Sequence, residues 1–303
     1  MKSFMSEWSV DSIFFSIVIP AYNRADRIGK TLESVLEQTF FQFEVLVVND
    51  GSTDDTVGAV KPYLEDHRVR LFTIENGERG AARNFGVRQA RGAYVTFLDS
   101  DDLLFPWHLA EAFSIAKNHT IDIFHLNYEI LHGNGRIETL QVLPREVNEK
   151  LLEGNFLSCL GIFGKRELWL RYPFDESRVL AGSEDYELWL RIAARIPIYC
   201  FPQVTSRLVN HTARSVVKVD RQGLVSRITA LETKLKADQK FTKAFEQGLG
   251  RLHAYTQLYL ALHLALSGGR WAAVQLLPRI VSSFPRIVFS YRFMVLIKKI
   301  LIR

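Results

Sequence analysis

The sequence predicts an α/β fold, in which helices flank a mixed, mainly parallel sheet and a helical extension follows at the C-terminus. Short apolar, β-branched runs alternate with amphipathic helical segments through the first third of the chain, which is the pattern of βαβ units. Strand signals mostly disappear after Asp220, where helical periodicity takes over. The 303 residues, 48% hydrophobic and 23% charged, suffice to bury a large core and exclude a disordered chain.

Four predicted strands and three intervening helices make up the first part of the chain. The strands cover residues 16–20, 44–48, 69–74 and 93–98. The first helix buries a stripe that begins at Ile28, the second is capped by Ser52 or Thr53, and the third spans 81–91. Because parallel strands end at the same edge of a sheet, we expect a ligand beyond their carboxyl ends.

The regularity weakens after residue 121. We predict a helix over 184–195 and strands over 121–126, 136–142, 198–201 and 205–209. Three or four further helices follow, with breaks at Gly248, Gly268 and Pro285. Composition and periodicity therefore predict two domains, a sheet-containing catalytic domain over 1–218 and a basic helical region over 219–303.

The formal net charge of +5 hides a division along the chain. Residues 1–219 carry 24 Lys and Arg against 29 Asp and Glu, whereas residues 220–303 carry 14 against 4. The basic region mixes its cations with large apolar side chains, which is typical of helices that lie on an anionic membrane surface. A helical subdomain or dimer interface with solvated cations is the alternative. No nucleic-acid recognition module accompanies the charge, so nucleic acid is not an expected partner.

Nothing in the sequence predicts passage across a membrane. No run is long and apolar enough to span a bilayer, and the apolar residues 13–19 follow acidic residues, unlike a signal peptide. Cys159 and Cys200 are too few for a disulfide framework, and no cysteine–histidine cluster has zinc spacing. We therefore expect a cytoplasmic protein that is peripheral on the inner face of the plasma membrane.

Carboxylates follow the predicted strands at the edge where a ligand is expected. Asp99 and Asp101 lie two residues apart in the turn after the fourth strand, so both side chains can face one point. Carboxylate oxygens are the ligands that Mg²⁺ and Mn²⁺ prefer, and such a cation would neutralise a diphosphate and stabilise it as a leaving group. An acidic turn with a helix-capping aspartate is the alternative, since two spaced aspartates alone are a weak signal.

Three segments of the sequence carry a resemblance to a known family. They are residues 16–23, 47–54 and 94–102, each at the end of a predicted strand. As a set they resemble the family-2 nucleotide-sugar glycosyltransferases of the GT-A fold, over roughly residues 14–215. The resemblance implies that Tyr22 lies against the nucleotide base and that Pro20 and Ala21 line the same slot. It also implies that Asp50 accepts a hydrogen bond from the base edge, which favours uracil.

The resemblance implies further contacts to the donor and its cation. The residues concerned are Asp99, Ser100, Asp101, Arg79, Arg83 and His211. Asp99 would contact the ribose or the metal, Ser100 the donor, and Asp101 the metal, expected as Mn²⁺ or Mg²⁺. Either Arg79 or Arg83 would steady the nucleotide-sugar. His211 would bind the metal or touch the diphosphate.

A further motif, residues 181–191, resembles the Glu-Asp motif of the same family. The resemblance implies that Asp185 is the general base, which takes the proton of an acceptor hydroxyl as that hydroxyl attacks. Asp185 stands in the first turn of a predicted helix, where the helix dipole favours a negative side chain. Glu184 and Trp107 are expected on the acceptor side of the site.

The resemblance therefore implies a metal-dependent, inverting enzyme of cell-surface polysaccharide biosynthesis. It would move a sugar from a nucleotide donor, favoured as a UDP-sugar, to a saccharide or lipid-linked saccharide acceptor. A sugar-1-phosphate nucleotidyltransferase is one alternative, but residues 20–23 are not the Gly-rich phosphate loop that it needs. A non-catalytic membrane adaptor with a degenerate pocket is the other, and it would be expected to have lost Asp101 or Asp185.

Overall fold

The computed structural model describes residues 12–139, 146–211 and 221–301, and divides the chain into two compact units. The first unit comprises residues 1–146, 157–178 and 198–214, and the second comprises 147–156, 179–197 and 215–303. The domain boundary predicted between residues 218 and 219 lies outside the described residues and remains a prediction.

A single sheet dominates the described part of the first unit. Its strands are β1 (Phe15–Ala21), β2 (Phe43–Asp50), β3 (Val69–Ile74), β4 (Tyr94–Phe97), β5 (Leu103–Leu104), β6 (Ile123–Leu131), β7 (Ile137–Thr139), β8 (Ile162–Lys165) and β9 (Tyr199–Val209). They are arranged in the order β3-β2-β1-β4-β8-β6-β9-β5, and β7 pairs with β6. The pairs β1–β2, β1–β4, β2–β3 and β6–β9 are parallel, whereas β8 is antiparallel to both its neighbours. The predicted mixed, mainly parallel sheet is confirmed.

Helices connect these strands as βαβ units require. They are α1 (Ile28–Leu36), α2 (Thr56–Val60), α3 (Glu78–Gln89), α4 (His108–Asn118) and α5 (Arg166–Arg171). Every residue of β1 and β2 is buried, because helices shield both faces of a parallel sheet. Aromatic rings fill the core beside them, with Phe124 and Phe163 stacked at 5.2 Å and Phe15 edge-on to Phe163 at 5.4 Å.

Three local predictions about this unit are wrong in detail. Asp55 caps α2, because its carboxylate accepts the Gly58 amide at 3.1 Å, while Ser52 and Thr53 bond to the preceding loop instead. The third helix begins three residues earlier than predicted, at Glu78. The two strands predicted over 198–209 form one strand, β9, whose register with β6 shifts around Pro202, a residue that cannot donate to a ladder. Residues 140–142 of the strand predicted over 136–142 lie outside the described residues.

The described part of the second unit is helical. Its helices are α6 (Glu184–Ala193), α7 (Arg221–Ala237), α8 (Gln239–Ala244), α9 (Leu249–Leu266), α10 (Arg270–Ser283) and α11 (Tyr291–Leu301). Their core includes Ile228, Leu258, Leu264, Ile280 and Leu296. Five of these helices follow residue 220 instead of the predicted three or four, because Asp238 caps a separate short helix, α8. Among the described helices, none combines the length and the apolar character needed to cross a bilayer.

Candidate active site

The carboxyl ends of β1, β2 and β4 meet at one edge of the sheet in the first unit. β1 and β2 run in register to Ala21 and Asn49, and the amide of Leu98, just after β4, donates to the carbonyl of Val18. The segments that carried the family resemblance therefore end side by side. The predicted donor residues Pro20 and Ala21 are buried there as part of β1.

The loops after β1 and β2 are fastened to each other by Asn23. Its side-chain oxygen accepts hydrogen bonds from the backbone amides of Thr53 at 2.8 Å and Asp54 at 3.3 Å. The backbone amide of Asn23 donates to Ser52 Oγ at 3.0 Å. Asn23 has a φ of +52°, a left-handed conformation that asparagine tolerates better than most residues. This turn leaves the preceding residue, Tyr22, 44% exposed at the end of a buried strand, so its ring is available to a ligand.

Asp50 lies at the end of β2, and each oxygen of its carboxylate accepts a hydrogen bond. Its Oδ1 accepts the Gly77 amide at 2.8 Å, and its Oδ2 accepts Asn76 Nδ2 at 3.3 Å. Arg178 in turn donates to Asn76 Oδ1 and to the Asn76 carbonyl, both at 3.0 Å. Burial raises the pKa of Asp50, and the Gly77 amide opposes that rise. An ionised carboxylate has about four acceptor positions, so Asp50 has capacity left for a donor group of a ligand.

Arg83 anchors the first aspartate of the loop after β4. Its side chain is 2% exposed, and its Nη2 donates to Asp99 Oδ1 at 2.8 Å. The guanidinium also lies 5.3 Å over the ring of Phe174. Arg79 lies one turn earlier on α3 and is half-buried. The structure therefore brings Arg83 to the acidic loop, and which of the two arginines contacts the donor stays a prediction.

Three carboxylates of this loop converge. Oxygen atoms of Asp99, Asp101 and Asp102 all lie within 4.8 Å of one another. Asp101 Oδ2 accepts His211 Nε2 at 2.9 Å and lies 3.6 Å from Arg24 Nε. Its side chain is 6% exposed. Asp101 and His211, 110 positions apart in the sequence, are thus brought together as predicted.

Asp102 is bound to the fold more firmly than the other two aspartates. Its Oδ1 accepts the Val209 amide at 2.8 Å, and its carbonyl accepts the Thr31 hydroxyl at 2.9 Å. These bonds fix the acidic loop against β9 and α1. Ser100, also in this loop, is buried. Asp102 therefore positions the loop, while Asp99 and Asp101 remain the better candidates for ligand contacts.

The chemistry of this donor set fits a divalent cation. Carboxylate oxygens with an imidazole nitrogen suit Mn²⁺, and carboxylate oxygens alone suit Mg²⁺. Within the described residues, the buried Nδ1 of His211 has no hydrogen-bond partner, so this ring has a nitrogen to offer. Asp99 and Asp101, with Asp102 beside them and His211 bonded to Asp101, are the residues that would hold such an ion.

Trp107 and the acidic loop are bonded to different residues of β9. Its Nε1 donates to the Val204 carbonyl of β9 at 3.3 Å, whereas Asp102 is bonded to Val209 on the same strand. Five residues of a strand cover about 16 Å. Trp107 is 47% exposed, and its assignment to the acceptor side remains a prediction.

Glu184 and Asp185 belong to the second unit, where they form the first turn of α6. Ser183 occupies the N-cap position, but its side chain makes no capping hydrogen bond. The Glu184 carboxylate instead accepts the Gly182 amide of the preceding turn at 2.6 Å. Asp185 accepts the Tyr186 amide at 2.7 Å on Oδ1 and Asn155 Nδ2 at 3.1 Å on Oδ2. The Asp185 carboxylate is thus oriented by two donors.

Sequence reasoning missed four residues of these sites. They are Arg24, Asn76, Arg178 and Asn155. Arg24 follows the motif at Tyr22 directly, so its position was an available signal. The other three reach their partners through tertiary contacts, and no local pattern marks them.

Comparison with known proteins shows a consistent set of relatives. The model of the family described as Glycosyl transferase family 2 matches residues 16–154. An Escherichia coli protein named UDP-Glc:alpha-D-GlcNAc-diphosphoundecaprenol beta-1,3-glucosyltransferase WfgD is 34% identical over 185 residues, 60% of this chain and 71% of that protein. An uncharacterized glycosyltransferase of Haemophilus influenzae is 30% identical over 217 residues, 70% of this chain and 81% of its own length. In several other relatives the match spans only about a quarter to a third of the protein, for example 26% of an uncharacterized glycosyltransferase of Rickettsia bellii.

Solved structures match over nearly the whole chain. S. aureus TarS 1-349 in complex with UDP has a TM-score of 0.61 at 20% identity, over 93% of this chain and 92% of that one. The mannosyltransferase PcManGT from Pyrobaculum calidifontis, in complex with GDP-Man and Mn²⁺, has a TM-score of 0.63 at 20% identity, over 95% and 84% of the two chains. At this identity the likeness concerns the fold, and it confirms the predicted GT-A architecture with its C-terminal helices.

Proposed function

This chain belongs to glycosyltransferase family 2, and we propose that it transfers a sugar from a nucleotide diphosphate donor to a hydroxyl of a saccharide acceptor. The observation that carries the proposal is the convergence of Asp99, Asp101 and Asp102 after β4, where His211 is bonded to Asp101 and where the strand ends that carry Tyr22 and Asp50 also lie. Closely packed carboxylates repel one another, so their convergence is unfavourable unless a cation binds them. A divalent cation that also binds the donor diphosphate would relieve this repulsion.

The donor is proposed to be a UDP-sugar. The exposed ring of Tyr22 offers a face to the base, and Asp50 has acceptor capacity for an N–H at the base edge. Uracil presents such an N–H. Among the structural neighbours, TarS is found with UDP and the Pyrobaculum enzyme with GDP-Man, so a GDP-sugar is the donor to test against it.

The acidic loop is proposed to hold Mn²⁺ or Mg²⁺. When bound, the cation neutralises the diphosphate and stabilises it as a leaving group. Arg83 fixes the carboxylate of Asp99, and Asp102 fixes the loop to β9. His211 and Arg24 flank Asp101, so the orientation of its carboxylate is set before the donor arrives.

Asp185 is proposed as the general base of an inverting reaction. It accepts the proton of the acceptor hydroxyl while the hydroxyl oxygen forms a bond to the anomeric carbon. The bond from that carbon to the diphosphate breaks, and its electron pair leaves with the diphosphate oxygen. Asn155 and the Tyr186 amide orient the carboxylate, and the N-terminus of α6 favours its negative charge.

The acceptor is proposed to be a lipid-linked saccharide, met at the inner face of the plasma membrane during cell-surface polysaccharide synthesis. The name of the E. coli relative specifies N-acetylglucosamine on a lipid diphosphate, and this is the first acceptor to test. In the second unit, Trp271, Phe289 and Tyr291 are 82%, 84% and 77% exposed, beside an excess of cations. Exposed aromatic rings with basic residues are typical of helices that lie in a membrane interface.

A donor screen tests the proposal. Purified full-length protein is incubated with UDP-, GDP- and dTDP-sugars in Mn²⁺, in Mg²⁺ or in EDTA, with and without a saccharide acceptor, and nucleotide release is measured. We expect release from UDP-sugars that requires the cation, is stimulated by the acceptor, and falls by about a hundredfold or more in Asp101→Asn.

The matched control is Asp122→Asn, an exposed aspartate of the same unit that pairs with Lys165 at 2.7 Å. This variant is expected to keep wild-type activity. If no donor releases its nucleotide, or if Asp101→Asn equals the control, the proposal is wrong. Pyrophosphate release from a nucleoside triphosphate and a sugar-1-phosphate would assign the site to nucleotidyl transfer instead.

A further inference from the structure

Arg227 of α7 is a buried cation without a counter-charge. Its side chain belongs to a residue that is only 8% exposed, and its Nε is buried without a hydrogen-bond partner. Among the residues that the structure describes, no carboxylate lies within ion-pair distance of it. Removing a guanidinium from water without pairing it is unfavourable, so its position requires an explanation.

The guanidinium lies against the turn that precedes α6. Gly182 of this turn has a φ of +84°, and a Cβ at this position would meet Arg227 Nη1 at 3.1 Å. The Gly182 amide is bonded to Glu184, and Asp185 follows in the first turn of the helix. The absent side chain at Gly182 therefore leaves Arg227 room to approach the backbone beside the proposed base.

Two polar rings of α9 complete this group. Tyr259 is 38% exposed and its ring centroid lies 4.4 Å from that of His263. Burial raises the pKa of Tyr259; the charge of Arg227 acts to lower that pKa and the charge of Asp185 to raise it. Burial, reinforced by the charge of Arg227, lowers the pKa of His263. Both rings are therefore neutral near pH 7, and neither supplies the missing counter-charge.

We propose that Arg227 forms a phosphate-binding subsite for the acceptor, next to Asp185. The inference rests on the proposed function and extends it to the class of acceptor. In a sugar linked to a lipid by a diphosphate, the first phosphate lies one sugar ring from the hydroxyl that reacts. A guanidinium binds phosphate through two parallel N–H donors, which makes arginine well suited to this role. The donor diphosphate is the other source of the same chemistry.

Matched acceptors test this subsite. Transfer is measured to dodecyl N-acetylglucosaminyl diphosphate and to the uncharged dodecyl N-acetylglucosaminide, and donor KM is measured separately by hydrolysis. In Arg227→Gln we expect KM for the diphosphate acceptor to rise about tenfold or more, with little change for the uncharged acceptor or the donor. Arg227→Lys should restore part of the affinity. Arg221→Gln, which removes an exposed cation of the same helix, should match wild type.

If Arg227→Gln lost the same activity with both acceptors, or shifted the pH optimum of transfer to both, Arg227 would act on the fold or on Asp185. Either result would overturn the proposal. A rise in donor KM alone would assign the arginine to the donor and overturn it as well.

A binding measurement decides the inference independently of transfer. In EDTA, inorganic pyrophosphate should raise the melting temperature of wild type and of Arg221→Gln, but not of Arg227→Gln. The same rise in all three proteins would overturn the subsite. Should wild type release no nucleotide from any donor, the proposed function would fail, while the pyrophosphate result would still decide whether Arg227 binds phosphate.

Discussion

Two buried arginines, one in each unit, are held in opposite ways. Arg83 of the sheet unit is 2% exposed and pairs with Asp99 at 2.8 Å. Arg227 of the helical unit is 8% exposed, and the described residues offer it no carboxylate. A paired buried charge holds two elements of a fold together, whereas an unpaired buried charge is unfavourable, and the proposed acceptor phosphate would supply its partner. Arg83 is therefore a charge that holds the site together, whereas Arg227 is a charge that is available to a substrate.

The largest effect is expected where the helical unit is proposed to carry out chemistry. Asp185→Asn removes the carboxylate that accepts the proton, so kcat for transfer should fall by about 10²- to 10⁴-fold. Donor KM should stay near the wild-type value, because the donor residues belong to the sheet unit. Initial rates at varied donor and acceptor concentrations measure both constants.

Glu246→Gln is the control for Asp185→Asn, since it removes an exposed acid from the same unit. It should retain full transfer. An Asp185→Asn protein with an unchanged kcat would break the comparison, because the helical unit would then bind the acceptor without supplying the base.

The two arginines themselves give the next prediction. Arg83→Met leaves Asp99 without its partner and should lower the free energy of unfolding by about 2 kcal/mol. Arg227→Met replaces an unpaired charge with an apolar side chain and should leave the free energy unchanged or raise it by about 1 kcal/mol. Urea denaturation of both variants measures these differences.

Arg136→Met serves as the reference for these stability measurements. Arg136 is 63% exposed and pairs with Glu138 at the surface, so its loss should cost less than about 1 kcal/mol. If Arg227→Met destabilised the protein as much as Arg83→Met does, Arg227 would be a structural residue, and the contrast between the units would disappear.

The sequence predicted the sheet unit better than the helical one, for a physical reason. Tyr22, Asp50 and Asp99 each lie at or just after the end of a strand, and parallel strands bring their ends together whatever the rest of the chain does. The contact of Asn155 with Asp185 spans 30 positions, and that of Gly182 with Arg227 spans 45. Such contacts depend on how helices pack, and helical periodicity alone does not determine that packing.

The family resemblance identified a site residue, His211, that the predicted strand positions alone did not indicate. His211 was proposed as a partner of the acidic loop because relatives place a histidine there, and the structure brings it to 2.9 Å from Asp101. Trp107 was chosen by its closeness in sequence to the same loop. Between Trp107 and that loop, β5 pairs with β9, and the Trp107 indole donates to the Val204 carbonyl, so its place on the acceptor side stays a prediction.

The basic surface of the helical unit provides a smaller test of the comparison. Lys298 and Lys299 are exposed at the end of α11, and each should contribute about 1 kcal/mol of attraction to an anionic bilayer. The double variant to glutamine should therefore bind phosphatidylserine-containing vesicles about thirtyfold more weakly in flotation assays.

The double variant of Lys30 and Lys61 to glutamine removes the same charge from exposed positions of the sheet unit. It should float as wild type does. Equal partition of all three proteins would remove the membrane proposal and leave the cations of α11 as ordinary solvated charges.

The smallest effects come from two aspartates whose pKa values move in opposite directions. Burial raises the pKa of Asp50 above 3.8. Burial also acts to raise the pKa of Asp238, but the hydrogen bonds from Arg195 and from backbone amides outweigh it and lower the pKa below 3.8. Asp50 therefore contributes stability below pH 3.8 that is lost as pH rises through its raised pKa, whereas Asp238 contributes stability above pH 3.8 that is lost as pH falls through its lowered pKa.

Asparagine variants make these opposite slopes measurable. As pH rises through the acidic range, Asp50→Asn should gain stability relative to wild type and Asp238→Asn should lose stability relative to wild type. Urea denaturation at several pH values gives both slopes against the same wild-type curve. Parallel slopes would mean that Asp50 is paired as fully as Asp238 and has no acceptor capacity left, which would sink its proposed contact with the base. Opposite slopes would support the view that Asp50, like Arg227, is a charged group whose remaining partner is a substrate and not another residue of the protein.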